Sequence, residues 1–350
     1  GRQPKRIEIA RVATLDNLKL DEFVPAHSYT IPHARFGAEA WSLKSDSEAA
    51  VFDKIVRAGE PLGKYVEGKI FYGIKTGLNE AFEVSTEQRA ALISGSAGSK
   101  KLIKLFLGGQ DIRRYRASQD PRYLIVLPNG WTRQQSGVAF SNEKQAWEWL
   151  AAKFPMLATH LADYADALRR RQDQGEFWWE LRPCDYYGFL DAPKLIFPDI
   201  CKAPRFALDT SGVYLANTAY CLGTDDRYLL GVLNSRLFWF AISHISIPFG
   251  VRAGEYRYRL IYQYMEQVPI RVIDETDKAD RARRARMVGM VNQMLTLHEG
   301  LAAARTAHDK TLLERQIAAT DRQIDTLVYE IYGLTDDEIA IVEGSVNPAQ

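Results

Sequence analysis

The chain has 350 residues, 46% of them hydrophobic, and a formal net charge of +1. No apolar run approaches the length of a membrane span, and the near-neutral balance excludes nucleic-acid binding through the overall field, so any such contact must come from local Lys and Arg clusters. The length suits a sizeable core and two structural units.

Residues 1–60 read as a connecting segment punctuated by Pro4, Pro25 and Pro32. Within it, Asp46 to Ala58 reads as an amphipathic helix. Ser45 or Ser47 is the cap, and Val51, Ile55 and Val56 share a face. From 61 to 276 short aromatic and β-branched runs, at 69–72, 122–127, 194–197 and 213–214, alternate with helical stretches at 143–153, 155–171 and 227–240. This pattern predicts an α+β domain with a mixed or antiparallel sheet.

Residues 277–350 change character. Met287, Val291, Met294, Leu297 and Leu301 recur at helical spacing, as do Leu313, Ile317, Thr320, Ile324, Leu327 and Ile331. One unbroken helix here would reach about 80 Å, so an antiparallel helical hairpin is expected, turning at 306–309 with Asp309 as the second N-cap. Gly333 then serves as a C-cap, and Thr335 to Glu338 spells a capping box for a last short helix.

Cys184, Cys201 and Cys221 are odd in number and widely spaced, and read as reduced, partly buried thiols. The chain starts Gly1-Arg2 without methionine and shows no signal-peptide pattern, so it reads as a piece of a longer cytoplasmic protein.

The most informative run spans 68–82. Two aromatics, Phe71 and Tyr72, lead into a loop where Gly73 and Gly77 admit backbone angles closed to other residues, and Lys75, Thr76 and Asn79 supply polar tips. Such a loop suits phosphate or base-edge contacts. Further along come 106–115, with Arg113 and Arg114 after Asp111, then 177–182, 193–200, 228–235, 319–325 and 329–335. Together these seven segments, in order, resemble the target-recognition domain of type IIG restriction-modification enzymes, the specificity module of the TaqI-like adenine DNA methyltransferases.

The resemblance implies a module that reads double-stranded DNA and positions it for adenine methylation by an upstream methyltransferase domain of the same chain, which residues 1–60 would join. It implies no cofactor in this piece, S-adenosylmethionine for the parent enzyme, magnesium if the parent also cleaves, and no membrane. The helical pair at 277–350 would be the spacer that braces the recognition domain. Candidate DNA contacts are Lys75, Thr76, Asn79, Arg113, Arg114, Trp178, Glu180 and Arg182. Lys75 and Thr76 suit phosphate. Along a strand, Trp178, Glu180 and Arg182 would share one face, with Phe177, Trp179 and Leu181 on the core side. Arg182 could then pair with guanine and Glu180 accept from cytosine, or the two could simply pair with each other. Lys100, Lys101, Lys104 and Arg116 extend the basic cluster around Asp111. Arg169 to Arg171 form a second, and Arg252, Arg257 and Arg259, interleaved with Tyr256 and Tyr258, a third.

The chemistry of methyl transfer is missing. There is no glycine-rich bend for S-adenosylmethionine and no Asn-Pro-Pro-aromatic loop, the only Asn-Pro pair being Asn347-Pro348. Asp53 with Glu67-Gly68-Lys69 formally matches a metal-nuclease triplet, although Lys69 enters a strand. A phosphate-binding loop at 63–69 fails because Ile70 stands where Ser or Thr is needed. Two alternatives follow: a metal-dependent nuclease in its own right, and a helical protein-interaction subunit.

Overall fold

The computed structural model describes residues 5–10, 19–33, 43–118, 120, 122–252 and 255–346. Gly1, Arg2, Pro4 and the Asn347-Pro348 pair therefore lie outside the described residues, as does the side chain of Arg252. The chain forms two compact units, one from 69–199 and 205–226, the other from the segments 1–68, 200–204 and 227–350. Both mix helix and strand, as expected for an α+β chain.

The first unit is built on two small sheets. In one, Ala207–Asp209, Lys194–Pro198, Ala219–Leu222 and Ile70–Tyr72 lie side by side in that order, all antiparallel. Every residue of Lys194–Pro198 is buried, which suits its near-continuous apolar run and its interior place in the sheet. Its one charge is neutralised on site: Lys194 Nζ lies 2.5 Å from Asp209 and donates to the Leu190 carbonyl at 2.6 Å. The other sheet orders Tyr214–Leu215, Ile103–Leu107, Arg122–Ile125 and Glu83–Val84, the first pairing parallel and the rest antiparallel. Phe82, Phe106, Leu124, Trp179 and Leu215 fill the core between these elements and the helix Glu143–Lys153. The helix expected at 155–171 is two, Pro155–Ala162 and Ala165–Arg170, a break that no Gly, Pro or capping residue marks.

In the second unit Asp46–Ala58 is helical and opens on a reciprocal capping box. Ser45 N donates to Glu48 Oε2 at 2.7 Å and Glu48 N to Ser45 Oγ at 3.2 Å. Val51 and Ile55 are buried, whereas Val56 is 45% exposed, because a residue five places on from Val51 has rotated off the shared face. The helix expected at 227–240 is also two, Arg227–Leu233 and Arg236–Ile245. Ser235 causes the division, since its hydroxyl accepts from Phe238 N at 3.2 Å and caps a new helix.

The C-terminal hairpin pairs Lys278–Ala303 with Ala307–Tyr332. Arg283 Nε, early in the first helix, lies 3.0 Å from Glu330, late in the second, so the two run antiparallel. The second N-cap is Thr306, whose hydroxyl accepts from Asp309 N at 3.0 Å, and Asp309 sits inside the first turn. Gly333 ends the helix with φ 66°. Thr335 N then donates to Glu338 at 2.8 Å ahead of the last helix, Asp336–Val346. Met287 and Val291 meet Arg227–Leu233 at Gly231, where a Cβ would stand 2.4 Å from the Met287 sulfur.

Candidate nucleic-acid interface

The strand Ile70–Tyr72 runs out into the loop 73–78. Gly73 N donates to the Ala219 carbonyl at 2.9 Å, and a Cβ on Gly73 would fall 1.9 Å from the Ala216 carbonyl oxygen. Close approach of two backbones therefore requires this glycine. The expected left-handed angle belongs to Gly77 alone of the pair, at φ 72°. Between them Thr76 is only 1% exposed. Its hydroxyl donates to Asn79 Oδ1 at 2.5 Å and accepts from Leu78 N at 3.2 Å, closing a turn on itself. Thr76 is thus a fastening of the loop, and Asn79, though exposed, commits its side-chain oxygen to that fastening. Lys75 projects, with 50% of its side chain exposed.

The 177–182 segment departs from the expected alternation. Glu180 N bonds the Phe177 carbonyl at 2.9 Å, so the chain turns instead of extending, and Phe177, Trp178, Trp179, Glu180 and Leu181 are all buried. Glu180 is 0% exposed. Its carboxylate accepts from Gly130 N and Thr132 N, both at 2.8 Å, the otherwise orphaned donors where Trp131–Ser136 begins. Trp178 donates from its indole to Glu143 at 3.1 Å, under the guanidinium of Arg169 at 4.9 Å. Neither Trp178 nor Glu180 offers a surface for a base. A buried carboxylate needs donors; Phe177 N reaches Glu180 only at 3.4 Å, and the two shorter bonds come from Gly130 and Thr132, far away in sequence, which alternation cannot reveal.

Arg171 ties the loop to this turn. Buried to 7% exposure, it donates to the carbonyls of Thr76 and Glu180 and, at 2.9 Å, to that of Trp178, with its guanidinium 4.6 Å from the Phe82 ring. Desolvation lowers its pKa to about 10, still leaving it charged near neutrality. Arg169 is engaged with Glu143 at 2.6 Å. These members of the basic triplet are accordingly structural.

Arg182 is 46% exposed along its side chain and does not pair with Glu180. Its partner is Asp173, at 3.4 Å, whose other oxygen lies 3.1 Å from Lys75 Nζ. Burial opposes the charge on Asp173, but hydrogen bonds from Lys75 and Arg182 outweigh it and hold the carboxyl below its ordinary range. Lys75 and Arg182 stand at a small cleft walled by Tyr72, Cys184, Tyr186 and Tyr187. Burial raises the Cys184 thiol and the Tyr186 and Tyr187 phenols, so the wall is uncharged near neutrality. A cationic rim beside an aromatic wall suits a phosphate at the mouth.

Arg113 and Arg114 lie on a hairpin in which Ile112–Arg113 pairs with Arg116–Ala117. Tyr115 turns it at φ 61° and anchors it through Tyr115 N to the Phe206 carbonyl at 2.8 Å. Arg113 donates to the carbonyls of Gln110 and, at 3.1 Å, Ile112. Arg114 rests 5.6 Å from the Tyr115 ring. Asp111 is spent on Gly108 N, at 2.7 Å, and on Arg122, so it does not neutralise its basic neighbours. Lys100, Lys101 and Arg116 are exposed, whereas Lys104 pairs with Asp191 at 2.7 Å. In the other unit, Arg257 and Arg259 flank the Phe249 ring at 5.4 and 5.6 Å.

Asp53 is an exposed helical residue, and Glu67 and Gly68 form a left-handed turn at φ 54° and 74° before the first strand of the loop. Among the described residues no group of three or more His, Cys, Asp or Glu side chains is arranged to hold a metal ion. Sequence reasoning did not single out Asp173, Tyr186 or Tyr187, and it placed Arg171 in a surface cluster. None carries a local signal, because what defines them is contact with the 73–78 loop a hundred residues upstream.

Loops gathered on a two-sheet scaffold, with cations held at an aromatic-walled cleft, define a binding module. Residues 104–270 match the family of TaqI-like C-terminal specificity domains. Among solved structures it is similar to the type IIL restriction-modification enzyme MmeI in complex with DNA, at 14% identity and TM-score 0.47, covering 80% of this chain and 35% of that one. It is also similar to the type IIG restriction endonuclease BpuSI, at 10% identity and TM-score 0.43, covering 95% of this chain and 41% of that one. The chain thus spans less than half the length of either. No curated protein matches it.

Proposed function

We propose that this chain is the sequence-specific DNA target-recognition module of a restriction-modification enzyme. The match of residues 104–270 to a specificity-domain family carries the reading. The cleft supports it: Lys75 supplies a phosphate contact at the rim, Arg182 is the cation placed to reach a base edge, and Arg113 and Arg114 add phosphate contacts from their hairpin. Thr76, Asn79, Trp178 and Glu180 serve by holding these groups in place.

The parent enzyme would methylate adenine through an upstream domain of the same chain. That domain would bind S-adenosylmethionine, which here has neither a glycine-rich bend nor an Asn-Pro-Pro-aromatic loop to receive it. Cleavage with magnesium would likewise belong to the parent. No helix among the described residues is long and apolar enough to cross a membrane. Titration of the chain with short duplexes over a salt series tests the proposal. Binding should weaken as salt rises, and Lys75→Ala should weaken it for every sequence alike.

A further inference from the structure

We infer that Asp173 is a clamp that restrains DNA binding: it occupies Lys75 and Arg182 in the free protein, so that any duplex must compete with it for the cations it engages. The inference rests on the DNA-recognition reading of the cleft. One carboxylate serves both cations, through Oδ2 to Lys75 at 3.1 Å and Oδ1 to Arg182 at 3.4 Å. Its side chain is 18% exposed while theirs are 50% and 46% exposed, so the acid is fixed and the cations can leave. Asp173 is itself held by its surroundings. It follows Arg171, which is bonded to three carbonyls, and its Cβ lies 3.1 Å from where a Cβ on Gly77 would stand.

The consequence is a competition. A phosphate alone can draw off Lys75, but it leaves Arg182 on Asp173. Release of both requires a phosphate for Lys75 together with a base-edge acceptor for Arg182. The clamp therefore costs affinity on every duplex, and costs more where both cations are drawn off, so it restrains binding as a whole and does not widen discrimination. Asp173 touches no DNA in this scheme and acts as a positioning residue.

The test compares wild type, Asp173→Asn and Asp173→Glu in the whole chain. It reads random-duplex affinity against salt, enrichment of sequences from a randomised duplex pool, and melting temperature. Asp173→Asn should bind random duplex roughly 2- to 10-fold more tightly, since two exposed pairs are lost. Its salt slope should steepen by up to about one ion, from Arg182, and its sequence enrichment should not fall. Asp173→Glu should restore much of the wild-type behaviour. A folded Asp173→Asn with unchanged or weaker random-duplex binding overturns the clamp. If Asp173→Asn unfolds, Asp173→Ser takes its place, and unfolding of both shows Asp173 to be a structural support and overturns the clamp. A wild type that binds no duplex at low salt sinks the recognition reading and the clamp with it, whereas wild-type binding that Asp173→Asn leaves unaltered sinks the clamp alone.

Discussion

Lys75 and Arg182 meet on a single carboxylate, with Asp173 3.1 Å from the lysine ammonium and 3.4 Å from the arginine guanidinium. Two side chains far apart in sequence, one suited to phosphate and one to a base, thereby form one site. Their substitutions should nevertheless separate. Lys75→Ala should weaken binding to all duplexes and make the salt slope shallower by about one ion. Arg182→Ala should cost on the order of 1–3 kcal/mol on the preferred sequence and little on random DNA, with the melting temperature nearly unchanged. Parallel titrations of preferred and random duplex check both, and an unaltered preference in Arg182→Ala would remove it from base reading.

Glu180→Ala should behave differently. Its carboxylate satisfies Gly130 N and Thr132 N inside the fold, so truncation leaves two buried donors without partners and costs about 2–4 kcal/mol of stability. Denaturant unfolding should show the loss, and DNA binding should fall with the folded fraction. A stable Glu180→Ala with altered sequence preference would instead restore Glu180 as a base reader.

The two glycines of the loop make a graded pair. Gly73→Ala drives a methyl to 1.9 Å from the Ala216 carbonyl, a backbone clash that no rotamer relieves. Gly77→Ala strains a residue at φ 72° and should cost about 1–2 kcal/mol. Melting curves should rank Gly73→Ala as much the worse, and equal losses would mean that the loop leaves its strand neighbours easily.

The local signals were legible. Thr335 with Glu338 and Gly333 are short-range hydrogen-bonding patterns that stand where the sequence places them, and of the two cap candidates Ser45 and Ser47 it is Ser45 that caps, in a box with Glu48. Thr306 shows the limit of that reading, because Thr and Asp three apart are equally good caps until one is seen to accept the bond. The site was half legible. Lys75 and Arg182, singled out from their segments, stand at one cleft, whereas Trp178 and Glu180 are buried, because period-two alternation assumes an extended chain. A buried turn stitched by Arg171, Gly130 and Thr132 has no signature within 177–182.

In the helical hairpin, Asp280 accepts from Asp274 N at 3.0 Å and faces Arg271 and Arg283 at 3.0 and 3.1 Å. The backbone hydrogen bond first, and then the two arginines against the opposing effect of burial, lowers its pKa. A carboxyl depressed by folding contributes stability above its unfolded pKa and loses it as pH falls through the lower folded value. Asp280→Asn should therefore be less stable than wild type at neutral pH by about 1–2 kcal/mol, with the gap closing in acid. Unfolding at a series of pH values checks it, and a gap that persists below both pKa values would assign the loss to packing.

Direct binding to duplex DNA is the most immediate test. The chain's net charge of +1 gives no general attraction, so binding must come from the cations gathered at the cleft and on the 112–117 hairpin. Fluorescence anisotropy with a randomised duplex, over a salt series, should give affinity that falls linearly on logarithmic axes, with a slope reduced by Lys75→Ala. Absence of binding at low salt, or binding indifferent to both salt and Lys75→Ala, would contradict the assignment of this chain to DNA recognition.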